Sequence, residues 1–347
     1  MIKFDCLKSV NGVARWVYLA CASLFIAGGL FNPATASSAT VSATAQVTML
    51  PTTQVTTSLQ NVPGSFVVVD AFPSAHVAPR KIVIWLPPGY QESKEQYSVL
   101  YMHDGQNLFD ISTATAGQTW GVAERITRLQ EEGKVRKTIV VGIQSTSLRW
   151  REYAPAATIN TLSPALREVI SRVSEEGVAE PLADKYLQFL VTELKPYVDK
   201  NFRTKTGRSD TFIMGSSMGG LVSLYALASY PDVFGGAGCV STHWPISTNP
   251  AILSIPGDVR AAEIATAYLS WLQKHLPKAG QHKIYFDHGT INLDALYAPL
   301  QKRVDGLMVR KAYRLNEDWM TQVFVGGDHN EKAWRERLDI PLQFLLK

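Results

Sequence analysis

The segment TFIMGSSMGGLVSLYALASYP, residues 211–231, places two adjacent serines between glycines. Gly215 and Gly219 bracket Ser217 in the pattern G-x-S-x-G, which is typical of a serine nucleophile on a strand-to-helix turn. A strand pattern precedes the bracket and a helical pattern follows it. The hydroxyl would then emerge beside the N–H groups of a helix N-terminus. We predict that Ser217 is a nucleophile and that Ser216 is a small neighbour that permits the turn. The alternative is a glycine-rich packing turn with a solvated serine.

A serine at its ordinary pKa is a poor nucleophile and needs a base. His329 directly follows the last predicted strand, and it comes late enough in the chain to fit the order serine, acid, histidine. His103 and His243 also follow predicted strands but do not fit this order, and His288 lies in a loop with the acid candidates. We predict that His329 is the base and that His243 contacts the substrate.

The acid that orients the imidazole must lie between Ser217 and His329 in the chain. The segment KIYFDHGTINLDALY offers Asp287, at the end of a predicted strand, and Asp294, where the loop turns toward a helix. We favour Asp294, although an Asp at a helix start is often simply an N-cap.

Two N–H groups are candidates for holding the negative charge of an ester oxygen during attack. One belongs to Met218, which follows the nucleophile, and the other belongs to the loop after the third predicted strand, HDGQNLFD. Gly105 lets the backbone approach closely in this loop, so we predict that Gln106 supplies the second donor. An ordinary Asp-Gly turn is the alternative.

Strand and helix patterns alternate from Ser65 to the end of the chain. SFVVVDAF and RKIVIWLPP predict an antiparallel pair, and the uninterrupted apolar run TIVVGI is typical of a parallel strand covered on both faces. These patterns predict an α/β fold with a doubly wound, mostly parallel sheet and antiparallel N-terminal strands. Residues 154–183 interrupt the alternation, as either a surface insertion or a cap beside the site.

The start of the chain has the pattern of a secretory signal peptide over residues 1–36: basic residues, an apolar run and an A-x-A site. A retained membrane anchor is the alternative. Residues 37–60 are rich in Ser, Thr and Ala and predict a flexible lead-in to a catalytic domain at 61–347. We expect a periplasmic or secreted protein with no stable membrane association after cleavage. Only Cys239 would remain, so no internal disulfide is expected.

Charge and motif spacing argue against several other functions. Removing the signal would lower the formal charge from +4 to about +2, too near neutral to indicate nucleic-acid binding. The seven histidines are scattered without a cysteine pair, and GSSMGG lacks the lysine of a phosphate-binding loop. We therefore predict no metal and no cofactor. A substrate-binding rim of aromatic and cationic side chains is a further candidate feature, formed by Trp120, Trp150, Arg149 and Arg151. For each tryptophan, packing in the core is the alternative.

Five segments carry a resemblance to a known family: SVLYMHDGQNLFD, LRWREYAP, GSSMGG, HGTINLDALY and GGDHNEKAW. Over residues 65–347 the chain resembles the putative-esterase branch of the α/β-hydrolase superfamily. This branch includes enterochelin-type siderophore esterases, feruloyl and acetylxylan esterases and S-formylglutathione hydrolase, and the bacterial mycolyltransferases are related. The resemblance implies the α/β-hydrolase fold, an oxyanion donor at Gln106 and an acid at Asp294. The acid's position varies among relatives, and some siderophore esterases use a Ser–His pair. The identity of the acid therefore stays open: it is Asp294 or Asp287, or the site is a Ser–His dyad without an acid.

These residues together predict a serine carboxylic-ester hydrolase that forms an acyl-enzyme. The expected substrate is a small-molecule or polysaccharide ester: a siderophore, a feruloyl or acetyl polysaccharide, or a small acyl ester. An acyltransferase would use the same acyl-enzyme, and a non-catalytic binding protein would keep only the fold.

Overall fold

A computed structural model of the protein describes residues 55–115, 117–171, 180–246 and 259–347. The predicted signal peptide and most of the predicted lead-in lie outside these residues. Nine strands form one sheet in the order β1-β2-β3-β5-β4-β6-β7-β8-β9. The strands are β1 Val55–Thr57, β2 Ser65–Phe72, β3 Arg80–Leu86, β4 Ser98–His103, β5 Thr138–Ile143, β6 Thr211–Ser216, β7 Gly236–Val240, β8 Lys283–Gly289 and β9 Trp319–Phe324.

Helices connect the strands and cover both faces of this sheet. The α-helices in the described residues are α1 Val122–Glu131, α2 Arg149–Tyr153, α3 Ala156–Ile159, α4 Pro164–Ser171, α5 Ala183–Gln188, α6 Lys195–Asn201, α7 Met218–Ser229, α8 Val259–His275, α9 Ala298–Arg310, α10 Glu331–Arg337 and α11 Asp339–Leu346. Short 3-10 helices lie at Gly105–Asn107, Arg208–Asp210 and Asn292–Leu296.

The sheet is antiparallel at its start and parallel thereafter. β1, β2, β3 and β5 pair antiparallel, and every pair from β5 through β4 to β9 is parallel. Strand order reverses at β4, which lies between β5 and β6. Loops at the carboxyl ends of strands meet at such a reversal and form a crevice there. The predicted doubly wound sheet with antiparallel N-terminal strands is confirmed.

Two apolar clusters, one on each face, stabilise the sheet. The larger cluster packs α2 to α9 on one face, and the smaller packs α1, α10 and α11 on the other. All six residues of β4, β5 and β6 are buried, as expected for strands covered on both faces. β9 is partly exposed because it lies at the sheet edge.

Local structure differs from the sequence prediction at three places. Residues 55–57, inside the predicted lead-in, pair with β2 as an edge strand. A π-helix, Phe189–Leu194, joins α5 to α6 in the middle of one predicted helix. It ends just before Pro196, which has no N–H to donate and whose ring crowds the preceding turn. The described part of the 154–183 insertion forms α3 and α4, whose apolar residues Ile159 and Leu166 are buried in the larger cluster.

Candidate active site

Ser217 occupies a strained turn between β6 and α7. Its φ is 59° and its ψ is −123°, a conformation that costs a non-glycine residue free energy and persists where neighbouring contacts impose it. Its N–H donates to the carbonyl of Val240 at 2.9 Å, and its own carbonyl accepts from the N–H of His243 at 3.1 Å. These contacts with the residues at and after the end of β7 hold the turn on both sides of the Ser217 Cα.

The first bracketing glycine, Gly215, is required by a close backbone contact. A Cβ added to Gly215 would lie 2.9 Å from the carbonyl carbon of Gly219, closer than any real side chain packs. Ser216 is buried as the last residue of β6, whereas Ser217 keeps an accessible fraction of its surface. The turn therefore presents Ser217, not Ser216, at the carboxyl edge of the sheet.

The loop after β4 packs against this turn. Asp104 has a left-handed conformation, with φ 55° and ψ 49°, and Gly105 begins a 3-10 helix. A Cβ on Gly105 would lie 2.7 Å from the backbone of Gly142, so only glycine fits. The side chain of Gln106 fixes the loop to Ser145, donating from Nε2 to Oγ at 2.8 Å and accepting from the backbone N–H at 3.2 Å.

Two backbone donors are free where the turn and the loop meet. In the residues that the structure describes, the N–H groups of Met218 and Gln106 donate to no other protein group. The two segments are in contact, because a Cβ on Gly219 would lie 3.5 Å from Oδ2 of Asp104. Free donors at a helix N-terminus and an adjacent loop can stabilise an oxyanion.

Asp294 and His329 form a short hydrogen bond. Nδ1 of His329 donates to Oδ1 of Asp294 at 2.6 Å, and the Asp294 side chain is fully buried. Oδ2 of Asp294 accepts from the N–H of Gly289 and the hydroxyl of Ser241, both at 2.6 Å. Burial alone would raise the pKa of Asp294, but the hydrogen bond and charge of His329, together with the bonds from Ser241 and Gly289, outweigh it, so the pKa lies below its usual value. Nε2 of His329 is left to accept a proton.

Asp287 has different partners. It is fully buried, and its Oδ1 accepts from Nη2 of Arg337 and from the N–H of Ser241, both at 3.0 Å. Its Oδ2 accepts from the hydroxyl of Tyr285 at 2.9 Å, and burial raises its pKa. Of the two acid candidates, Asp294 is therefore the one that contacts His329.

Aromatic side chains connect His329 with the serine turn. The rings of His329 and Tyr297 are 5.7 Å apart, and the Tyr297 hydroxyl is 2.6 Å from Nδ1 of His243. His243 in turn contacts the backbone of Ser217, as described above. Trp150, which is half-buried, packs edge-on against His243 with ring centres 5.8 Å apart. The structure thus places His243 against the backbone of the candidate nucleophile and Trp150 against His243. His243 itself is 2% exposed, so the prediction that it contacts the substrate is wrong.

Other residues of the predicted rim lie elsewhere. Trp120 is 3% exposed and packs on Trp334 with ring centres 5.6 Å apart, so the rim prediction is wrong for Trp120, which fills the core. Nε of Arg151 donates to the carbonyl of Glu180 at 3.0 Å, a contact with the far end of the insertion. Neither residue is placed against Ser217.

Arg149 has a partner that sequence reasoning missed. Its Nε and one terminal nitrogen donate to the two carboxylate oxygens of Asp104, at 2.6 and 2.8 Å. Its guanidinium also lies over the ring of Tyr153, 4.9 Å from the ring centre. Burial would raise the pKa of Asp104, but the charge and hydrogen bonds of Arg149, with smaller contributions from His103 and Ser145, outweigh it and lower that pKa. This bidentate pair anchors the loop that carries Gln106.

His103 is excluded as the base by its surroundings. It is 2% exposed, and its Nδ1 shares a hydrogen bond of 2.8 Å with the hydroxyl of Tyr186. Burial lowers its pKa to about 3, so the ring is neutral at physiological pH and cannot gain a proton readily.

The described residues contain neither a cluster of metal-ligating side chains nor a membrane-spanning helix. No group of three or more His, Cys, Asp or Glu side chains in these residues is arranged to hold a metal ion. No helix among them is both long and apolar enough to cross a bilayer.

The chain is similar to several known proteins. It is 23% identical over 168 residues to the uncharacterized protein YbbA of Bacillus subtilis (strain 168), covering 48% of this chain and 58% of YbbA. It is 24% identical over 162 residues to an endo-1,4-beta-xylanase/feruloyl esterase of Xylanibacter ruminicola, covering 46% of this chain and 19% of that protein. The chain thus spans less than two thirds of the length of either curated relative. A solved ferulic acid esterase, 19% identical, shares the fold with a TM-score of 0.55 over 81% of this chain and 97% of its own.

The model of one protein family matches most of the chain. Residues 75–345 fit the family described as "Putative esterase", and this range includes every candidate catalytic residue from Gln106 to His329. The sheet order, the strained serine turn and the late histidine found in the structure agree with an α/β-hydrolase fold. The chain belongs to the putative esterase family.

Proposed function

We propose that the protein is a serine carboxylic-ester hydrolase that acts through an acyl-enzyme. The observation that carries the proposal is the 2.6 Å hydrogen bond between Asp294 and His329 at the sheet edge where the strained Ser217 is presented. A serine, an imidazole and a buried carboxylate are together the groups that acyl transfer requires. Family membership and the likeness to ferulic acid esterases support the same chemistry.

In the first step, Oγ of Ser217 attacks the ester carbonyl carbon while Nε2 of His329 takes the hydroxyl proton. The carbonyl oxygen becomes an oxyanion, and the N–H groups of Met218 and Gln106 donate to it. Asp294 stays ionised, holds the imidazole by Nδ1 and stabilises the imidazolium. The bond to the leaving alkoxide then breaks, and His329 protonates that oxygen, so an alcohol departs and an acyl-serine remains.

In the second step, His329 takes a proton from water as the water oxygen attacks the acyl carbon. The same two N–H groups stabilise the second oxyanion. When the bond to Ser217 breaks, His329 returns the proton to Oγ and a carboxylic acid is released. Each group is restored, so neither a metal nor a cofactor enters these steps.

The substrate is an ester of a small acid or of a polysaccharide. The curated relative and the solved structure whose names include feruloyl or ferulic acid esterase make an aromatic acyl ester the first candidate. Trp150, which is half-buried and packs on the ring of His243, offers an aromatic surface near the serine turn that suits such a group. A screen that compares kcat/KM for feruloyl, acetyl and siderophore esters ranks the candidates.

Hydrolysis of a short p-nitrophenyl ester tests the function itself. Ser217→Ala should lower kcat/KM by several orders of magnitude, because the nucleophile is lost. Ser216→Ala is the matched control, since it removes the neighbouring hydroxyl and should keep most of the activity. Wild-type activity in Ser217→Ala would show that the proposed nucleophile is wrong.

We also propose that the protein works in the periplasm or outside the cell. The basic, apolar and small-residue pattern of residues 1–36 supports this location. N-terminal sequencing of the exported protein should find a start at residue 37.

A further inference from the structure

A buried cluster lies behind Asp294, and the proposed steps above do not use it. Ser241 follows β7 with a φ of 41°, a strained value for a residue other than glycine. Trp334 and Arg337 come from α10, and Asp287 comes from β8. None of these four residues is more than 6% exposed.

The hydroxyl of Ser241 has one orientation that satisfies its neighbours. Nε1 of Trp334 donates to it at 3.0 Å, and Nη2 of Arg337 donates to it at 2.6 Å. Tryptophan and arginine can only donate, so Ser241 must accept from both. Its own proton is therefore directed at Oδ2 of Asp294, 2.6 Å away. That bond and the N–H of Gly289 fix one carboxylate oxygen, which leaves the other oxygen for His329.

Arg337 also separates two buried negative charges. Its Nη2 lies 3.0 Å from Oδ1 of Asp287 and 3.6 Å from Oδ2 of Asp294. Two buried carboxylates that share a site raise each other's pKa, and a nearby cation lowers both. Arginine side chains in proteins are in general always charged, unlike histidine, which makes arginine suited to supplying a fixed positive charge.

The titratable groups that interact with the two carboxylates, besides His329, do not replace this charge; they are Cys239, Tyr285 and Tyr297. His288 and Asp328 bond to the backbone of Gly289 and His329, respectively. The other charged residues of α10, which are not buried, are Glu331, Lys332, Arg335 and Glu336. Burial raises the pKa values of Cys239, Tyr285 and Tyr297, so these three side chains are uncharged near neutral pH.

The remaining contacts of Arg337 make a purely stabilising role a poor explanation. Within the described residues, its Nε and Nη1 are buried without a hydrogen-bond partner, and its guanidinium packs over the ring of Phe324 at 4.9 Å. A buried cation with unsatisfied donors is costly for folding, and well-packed apolar residues often serve stability better.

We propose that Arg337, acting directly and through Ser241, is a positioning residue that keeps Asp294 charged and turned toward His329. This proposal rests on the proposed serine esterase mechanism. Asp287 is the counter-charge that holds the guanidinium in place, which explains a second buried carboxylate that does not contact His329.

Three variants test this role through the acid limb of the pH profile, which is the pH range where kcat/KM falls as the solution becomes more acidic. Arg337→Met removes a positive charge, so the His329–Asp294 pair binds its proton more tightly and the acid limb should move up by about one pH unit or more. Adding Asp287→Asn to that variant removes a negative charge and should move the limb back toward wild type. Arg337→Lys keeps the charge and should leave the limb near its wild-type position.

A matched control comes from the same helix. Arg335→Met changes an arginine of α10 that bonds to Thr119 and lies near Glu124, so the acid limb should stay in place. An unmoved limb in a folded Arg337→Met variant, with only a lower melting temperature, would overturn the proposal. If Arg337→Met does not fold, Asp287→Asn alone decides: it must move the limb to lower pH, and an unmoved limb refutes the role.

Failure of the proposed function can be told apart from failure of this inference. If the wild-type protein hydrolyses no ester, the esterase proposal fails first. The His329 imidazole can then be titrated by NMR in the resting protein, where Arg337→Met should raise its pKa and the added Asp287→Asn should reverse that rise. An unchanged imidazole pKa in both variants contradicts the positioning role whatever the activity.

Discussion

At the scale of single residues, the site depends on which carboxylate reaches the histidine. Asp294 and Asp287 are seven positions apart, both are buried, and both lie near Ser241. Asp287 shares one face of β8 with Tyr285, its hydrogen-bond partner, because side chains two apart on a strand point the same way. Asp294 lies in the 3-10 helix after β8, from which it reaches His329.

Substituting each acid separately should give unequal results. Asp294→Asn should lower kcat by about 10³–10⁴-fold, because the amide no longer favours the imidazole tautomer and cation that catalysis needs. Asp287→Asn should lower kcat far less, since it leaves the Asp294–His329 bond in place. Steady-state kinetics at saturating ester measure both values. Equal activity of Asp294→Asn and wild type would point to a Ser–His pair without an acid.

The sequence could narrow the acid to two residues but could not choose between them by pattern alone. Both follow the same predicted strand, and the choice depends on side-chain direction and on a short helix that periodicity does not reveal. The Arg149–Asp104 pair was missed for a similar reason. The two residues are 45 positions apart in the chain, and only the folded sheet brings the ends of β4 and β5 together.

At the scale of elements, the loop after β4 must hold the Gln106 N–H in place without a strand or long helix to support it. The bidentate pair of Arg149 with Asp104 and the bonds of the Gln106 side chain to Ser145 provide that support. Both contacts reach across to the segment after β5, so this segment positions the candidate oxyanion donor.

Arg149→Met should weaken this support while leaving Gln106 itself unchanged. We expect kcat to fall about 10- to 100-fold, less than the 10²–10³-fold typical of losing an oxyanion donor outright, with little change in KM. Arg149→Lys should recover only part of the rate, because an ammonium cannot make the paired bonds. Arg128→Met, on the exposed side of α1, is the control for removing an arginine. A wild-type kcat in Arg149→Met would show that the loop is held without the pair.

Strands and helices could be predicted better than their irregularities. Continuous apolar runs such as that of β5 identified the buried parallel strands, because strands covered on both faces need no polar alternation. The π-helix at Phe189–Leu194 gave no such signal, since its apolar spacing still looks helical. Trp120 could not be assigned either, because a tryptophan near a predicted site is equally compatible with the core.

At the scale of the whole molecule, stability depends on a buried polar network under the end of β4. Arg80 and Glu152 form a buried ion pair, with nitrogen and oxygen 2.6 Å apart. Beside it, His103 shares a hydrogen bond with Tyr186, whose ring lies below the Arg80 guanidinium. Since His103 is neutral in the folded state, its titration couples folding to pH.

Acidification should therefore destabilise the protein between pH 6.5 and pH 3. The pKa of His103 falls from 6.5 to about 3 on folding because burial disfavours the charged ring. Over that window the unfolded chain binds a proton that the folded protein does not, so stability falls as the pH falls, by up to about 1.4 kcal/mol per pH unit. Urea unfolding measured across this pH range should show that the free energy of unfolding changes less with pH in His103→Gln than in wild type. Parallel curves would show that His103 does not control the effect.

The claim that Ser217 forms the acyl-enzyme is tested most directly by a fluorophosphonate probe, which reacts covalently with activated serines. Peptide mapping by mass spectrometry should find one adduct, on Ser217. The adduct should disappear in Ser217→Ala and persist in Ser216→Ala, and prior incubation with a hydrolysable ester should slow its formation. An adduct on Ser216, or ester hydrolysis that continues in Ser217→Ala, would contradict the account.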